Sequence, residues 1–355
     1  MKQLLFTAPL LLILSTPVLG NDLSKLRYPW DMRPASCPMG DATEPKECAL
    51  THFSTRAEAR QKVLLLYYTE QFHLLERALE DLSQRGAPSK GWSPLSANVY
   101  AGLYDAMTRR NIPLERQEPR LKRWREANPN SLHLPVAEAI LLGRRAWQAR
   151  GGGYAHTVTP ESWAVFEELH AKAERILLAA PPEARNRPGW HDARHAAVIN
   201  LNSPQASQEE VFEEAIKKFP NYHLLYMRQA QRLIPKWGGS WRALESFASK
   251  YTEETDAMDG GGLYARIYMY VGLDEPFKEM GIDWKKLKVS FEKLLALIDP
   301  DPYTRNQFAS FACAARDEAT FIKVFESIKP HDLRPADWLR GHSPDACKLW
   351  AFKNA

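Results

Sequence analysis

The feature that most constrains this chain is a junction that recurs. Ala127-Asn128-Pro129-Asn130-Ser131 and Lys218-Phe219-Pro220-Asn221-Tyr222 each close one amphipathic stretch at a proline and open the next within two residues. Ile298-Asp299-Pro300-Asp301-Pro302-Tyr303 does so again. Proline lacks an N–H, and its ring blocks the carbonyl one turn back, so it stops a helix. Between such breaks the apolar residues recur at helical spacing, from Ser54 almost to the end. No window shows sustained period-2 alternation of β-branched residues. The expected fold is therefore all-α. Helix, proline turn, helix is the pattern of tetratricopeptide-like hairpins, but Pro129 and Pro220 stand much further apart than a strict repeat of about 34 residues allows. Irregular hairpins stacked as a short solenoid or curved bundle are expected.

Start signals place individual helices. Thr159-Pro160-Glu161 reads as an N-cap, a proline at the first helical position and an acid in the first turn. Trp163, Phe166, His170, Ala173 and Leu177 then share one helical face. Ser207-Gln208-Glu209-Glu210 reads as a capping box, with Val211, Ala215 and Phe219 as the apolar face behind it. Val136, Ile140, Gly143 and Trp147 form a third stripe, where the small Gly143 is expected to let another helix approach closely. Gly86 to Ser93, Asn186 to Gly189 and Met258 to Gly262 read as loops or bends.

The N-terminus sets a compartment. Lys2 precedes a nearly continuous apolar run from Leu4 to Leu14, Pro17 breaks it, and Val18-Leu19-Gly20 offers a cleavage site. Residues 1–20 are expected to be a signal peptide, since the run is shorter than the ~20 residues that span a bilayer. Cleavage near Gly20 would leave a periplasmic or secreted protein. No later apolar run reaches transmembrane length, Val63 to Leu66 being short and flanked by charge. Residues 21–53 carry Pro29, Pro34, Pro38 and Pro45 and read as an extended segment. Residues 54–330 read as the helical domain, and 331–355 as a tail stapled back by a disulfide. Four cysteines in an oxidising compartment pair most simply as Cys37–Cys48 and Cys313–Cys347, although three pairings are open. Zinc is disfavoured, because the spacings are not CxxC and no histidine cluster lies nearby. The 47 basic and 43 acidic residues give a formal charge of +4. That balance argues against nucleic acid as a partner.

Two Trp/Gly-rich segments follow helices. One runs from Ala146 to Ala155 and holds Trp147, Arg150, three consecutive glycines and Tyr154. The other runs from Leu233 to Trp241 and holds Trp237, Gly238, Gly239 and Ser240, the last a possible N-cap for the helix from Trp241. In order, Trp147 to Gly153, the helix with Trp163 and Phe166, Pro220 to Tyr222, Pro235 to Ser240, and Gly261/Gly262 to Ile267 resemble the DUF4034 family of bacterial proteins. The resemblance covers roughly residues 60–280. It implies a tetratricopeptide-like helical domain, and it transfers no activity and no catalytic residue.

Aromatics at hairpin bends commonly wedge the next hairpin into place, and that is one reading of both segments. In the other, Trp147, Arg150, Tyr154, Trp237 and Trp241 line one face and bind a partner, since Trp, Tyr and Arg concentrate binding energy at interfaces. His191 and His195 have the HxxxH spacing of a metal site, but the Glu of HExxH is absent and Arg194 lies between them. The run from Arg116 to Arg125 reads as a solvated helix face. There is no G-x-S-x-G and no P-loop. The chain is thus expected to be a protein-binding scaffold with no catalytic activity and no cofactor. An immunity-type inhibitor of a periplasmic toxin is a sharper form of that reading. The competing class is a cell-envelope glycan-binding protein or enzyme, with Glu161, Glu167 and Glu168 as available carboxylates.

Overall fold

The structure, a computed structural model, describes residues 56–84, 95–108, 113–201, 208–272, 277, 280–297 and 302–352. The leader-like residues 1–20, the segment 21–53, Cys37, Cys48, the loop 86–93, Ser207 and the third proline junction up to Asp301 lie outside them. Among the described residues the regular structure is helical and contains no strand. None of the described helices is long and apolar enough to cross a membrane.

The first half builds one core. Its helices are α1 (Arg56–Tyr68), α2 (Phe72–Gln84), α3 (Leu95–Thr108), α4 (Leu114–Ala127), α5 (Leu134–Arg150), α6 (Pro160–Leu178) and α7 (Pro188–Val198). Buried apolar side chains from Ala59 to Ala197 fill it, with Trp124 and Trp190 its largest members. The second half comprises α8 (Gln208–Lys218), α9 (Leu224–Arg232), α10 (Trp241–Asp259), α11 (Leu263–Val271), α12 (Trp284–Leu297), α13 (Pro302–Ala314), α14 (Glu318–Glu326) and α15 (Pro344–Ala351). A second core runs from Phe212 to Ala351. Burying each such aromatic contributes about 2–3 kcal/mol.

Local chemistry accounts for the helix starts. Thr159 Oγ1 accepts from the Ser162 N–H at 3.2 Å, and Pro160 occupies the first turn of α6. Ser240 Oγ does the same for α10, accepting from Ala243 at 3.1 Å. Each cap satisfies an otherwise orphaned backbone donor and is worth about 1 kcal/mol. The expected face of α6 turns inward, with Phe166, His170, Ala173 and Leu177 buried.

Three sequence expectations need correction. The proline junctions are longer than two residues: α4 ends at Ala127 and α5 starts at Leu134, while α8 ends at Lys218 and α9 starts at Leu224. In the first junction Ser131 Oγ accepts from the backbone N–H groups of His133 and Leu134, which holds an extra turn ahead of the helix. In the second, the buried Tyr222 anchors the turn. Asn186 to Gly189 is not one loop, because Pro188 opens α7 and Gly189 lies in its first turn. A Cβ at Gly189 would collide with the Tyr100 ring of α3, so this glycine permits the α3–α7 approach. Gly143 does not play that part. A Cβ there would meet His170 Cε1 at 3.7 Å, an ordinary contact, although α5 and α6 do pack most extensively of all the pairs.

The C-terminal stretch is part of the second core. Trp338, Leu339, Cys347 and Ala351 are buried in it. Cys347 of α15 lies at disulfide distance from Cys313 of α13, with Cα atoms 5.8 Å apart.

Candidate functional site

A cavity of about 690 Å³ opens between α3, α5, α7, α9 and α11. Its volume falls in the range that encloses a drug-sized molecule. The mouth carries two aromatics that stay in solvent, Tyr104 at 49% and Trp147 at 39% exposure. Small and aliphatic side chains of α5 and α7, among them Ala139, Ile140, Ala193 and Ala196, make an apolar wall. Deeper polar groups come from different helices, since Asp192 stands on α7, Arg228 on α9 and Tyr270 on α11.

Asp192 and Arg228 form a bidentate pair. Arg228 Nε donates to Asp192 Oδ1 at 3.0 Å and Nη2 to Oδ2 at 3.1 Å. Burial disfavours the Arg228 charge, but the adjacent carboxylate outweighs burial and holds the guanidinium above its usual range. Burial also pushes the Tyr270 phenol above its usual range, so it stays a neutral hydroxyl. Neither side chain of the pair is fully covered, with 15% of Asp192 and 22% of Arg228 still accessible.

Behind the wall runs a hydrogen-bonded chain. Tyr100, which lines the cavity, has its hydroxyl 3.0 Å from His133 Nδ1. His133 Nε2 lies 3.2 Å from Glu80 Oε2, and Arg187 Nε donates to the same oxygen at 2.8 Å. The His133 hydrogen bond and the Arg187 guanidinium hold Glu80 down to about 2, against some opposing burial. This network fixes the Tyr100 ring against Gly189. His170 differs: neither ring nitrogen has a hydrogen-bond partner, its ring packs on Phe166 at 4.6 Å, and burial pushes it down to about 4.

The five residues named from the sequence do not form one face. Trp147 lines the cavity, and Trp237 meets it edge-on at 5.8 Å. Arg150 is buried, with its guanidinium 5.3 Å from the Trp147 ring and 5.0 Å from the Trp163 ring. Its Nη1 donates to the carbonyls of Gly151 and Gly153, both at 3.1 Å. Arg150 therefore holds the glycine loop in place, and Gly151 at φ 75° ends α5. Tyr154 is 76% exposed, with its ring stacked on His156. Trp241 packs, half-buried, against the second core.

The other sequence candidates are dispersed. Glu161, Glu167 and Glu168 are exposed on α6 and do not line the cavity. The backbone N–H at Glu161 and the Thr159 hydroxyl hold its carboxyl below the usual range, the reverse of what a general acid needs. His191 Nε2 lies 2.9 Å from the Arg185 carbonyl, and His195 Nε2 lies 2.9 Å from Gln229 Oε1. Among the described residues no group of three or more His, Cys, Asp or Glu side chains could hold a metal ion. In the basic run, Arg120 and Arg123 pair with Glu70 and Arg125 with Glu138. The Asp192–Arg228 pair has no signature in the sequence, and a polar position on an apolar stripe of each helix is the only hint. No family model, curated protein or solved structure matches the chain.

Proposed function

We propose that this protein is a binding protein that encloses a small ligand in the cavity between α3, α5, α7, α9 and α11. The single observation that carries this reading is the cavity itself, about 690 Å³ with two exposed aromatics at its mouth. A concave, largely apolar wall with aromatic side chains and a few convergent polar groups is the usual make-up of a ligand site. Binding fits better than catalysis. Among the described lining residues Asp192 is the sole carboxylate, and Arg228 neutralises it. The proposed setting is the periplasm or outside the cell, on the leader-like residues 1–20 and the Cys313–Cys347 pair. The likeness to DUF4034 and to tetratricopeptide-like hairpins rests on the order of the short segments quoted above.

A neutral apolar fluorophore, N-phenyl-1-naphthylamine, tests the reading. The wild type is expected to bind it saturably, with a fluorescence increase. Ala196→Trp fills the cavity from its half-buried wall and is expected to abolish the signal while the circular dichroism spectrum stays unchanged. An Ala196→Trp variant that binds the probe like wild type would refute the cavity as the site.

Protein recognition is a second reading, favoured by the 76% exposure of Tyr154. Tyr154 is not among the residues lining the cavity. On this reading Tyr154→Ala weakens a protein contact and leaves probe binding unchanged.

A further inference from the structure

The cavity's polar chemistry narrows the ligand, granted that the cavity is the binding site. Asp192 and Arg228 neutralise each other, so a ligand charge of either sign meets one attractive and one repulsive partner. Desolvating an ion against such a pair recovers little. Each Asp192 oxygen accepts one hydrogen bond from Arg228 and keeps a lone pair, and the two guanidinium bonds use Nε and Nη2. A hydroxyl group answers this surface, because it donates to the carboxylate and accepts from the guanidinium without changing the charge. Tyr104 and Tyr270 line the same cavity and add hydroxyl groups. The bidentate geometry holds the polar groups rigid before a ligand arrives, which lowers the ordering cost of binding. At the mouth, Tyr104 and Trp147 offer exposed ring surface to the C–H face of a saturated ring.

We infer that the cavity takes an uncharged, hydroxyl-rich ring compound of disaccharide size, a short glycan, whose adjacent hydroxyls span the Asp192–Arg228 pair while Tyr104 and Trp147 cover its apolar face. Arg144, a second cation on the wall, donates Nη1 to the Met107 carbonyl at 2.9 Å.

Calorimetric titration of the intact protein with maltose, cellobiose, trehalose and chitobiose tests this, with benzoate and cadaverine as charged controls. At least one disaccharide is expected to bind, and neither control. Asp192→Asn leaves the guanidinium uncompensated. It is expected to weaken the disaccharide about ten- to a hundredfold, the worth of a hydrogen bond to a charged group, and to admit benzoate. Should that variant misfold, Tyr270→Phe removes a single hydroxyl and is expected to weaken binding several-fold. Absence of binding by all four disaccharides, or binding of a charged control to wild type, overturns the glycan assignment. The naphthylamine separates the two failures. If it enters the wild type and is excluded by Ala196→Trp, the cavity stands and only the glycan falls. If it does not, the cavity reading falls too.

Discussion

Between pH 7 and pH 5 the protein is expected to lose about 4 kcal/mol of folding stability, half through His170 and half through His195. Both rings are buried, and burial holds each down to about 4 against an ordinary value of 6.5. The folded value is the lower one, so the unfolded chain takes up protons first. The contribution is complete above 6.5 and is lost as the pH falls from 6.5 towards 4. At pH 5 each histidine stands about 1.5 pH units below its unfolded value, which is about 2 kcal/mol at ~1.36 kcal/mol per unit. His191, lowered mainly by burial, adds in the same direction. Glu80 does not enter this window, because it moves from 4.5 to about 2 and matters only under stronger acid. Urea unfolding at the two pH values measures the loss. His170→Phe keeps the packing on Phe166 and removes the titration, so it should remove about half of the pH dependence. An unchanged pH dependence in that variant would defeat the account.

Trp190→Ala is expected to destabilise the protein by about 5 kcal/mol, at the upper end for removal of a buried tryptophan. The ring is 1% exposed and belongs to the first core. Its Nε1–H donates to the Leu177 carbonyl at 2.8 Å and so ties the end of α6 to α7. The guanidiniums of Arg185 and Arg194 each lie 5.6 Å from its ring centre. Alanine would open a void and remove one hydrogen bond from the Leu177 carbonyl, which keeps the Ala180 N–H at 3.2 Å, so the void is the larger cost. Trp190→Phe restores most of the volume but not the donor, and should cost much less. Chemical denaturation of the three proteins gives the comparison, and a loss under about 2 kcal/mol for Trp190→Ala would contradict the role assigned to the ring. Because α7 also carries Asp192 and Ala196, Trp190→Ala should weaken probe binding as well.

Local chemistry was legible in the sequence wherever one helix contains its own cause. Thr159, Pro160 and the stripe from Phe166 to Leu177 specify α6 almost completely, and Ser240 marks the start of α10. The cavity was not legible, because its walls come from Tyr104, Trp147, Asp192, Arg228 and Tyr270, on five helices spread along the chain. Spacing shows Asp192 only as a residue between His191 and His195. Its partner Arg228 lies on another helix, and nothing in either local pattern announces the pair. Arg150 shows the opposite failure. Its neighbours suggest a binding hot spot, whereas the fold stacks it between Trp147 and Trp163 and spends its donors on the glycine loop. Aromatic and arginine composition cannot distinguish a surface from a brace, since both uses rely on the same flat, polarisable groups.

The two cores meet along α7 and α8 as well as around the cavity, with His195 5.7 Å from Phe212 and His191 5.3 Å from Phe219. The cavity's α3, α5 and α7 walls belong to the first, and Leu224 of α9 packs against the second. Two cores packed together this way are expected to melt as one calorimetric unit, because the buried α7–α8 contact obliges one to follow the other. An occupant touching both walls favours only the state in which both are intact. Filling the cavity would then move a single heat-absorption peak upward, and the chain would gain thermal stability along with affinity.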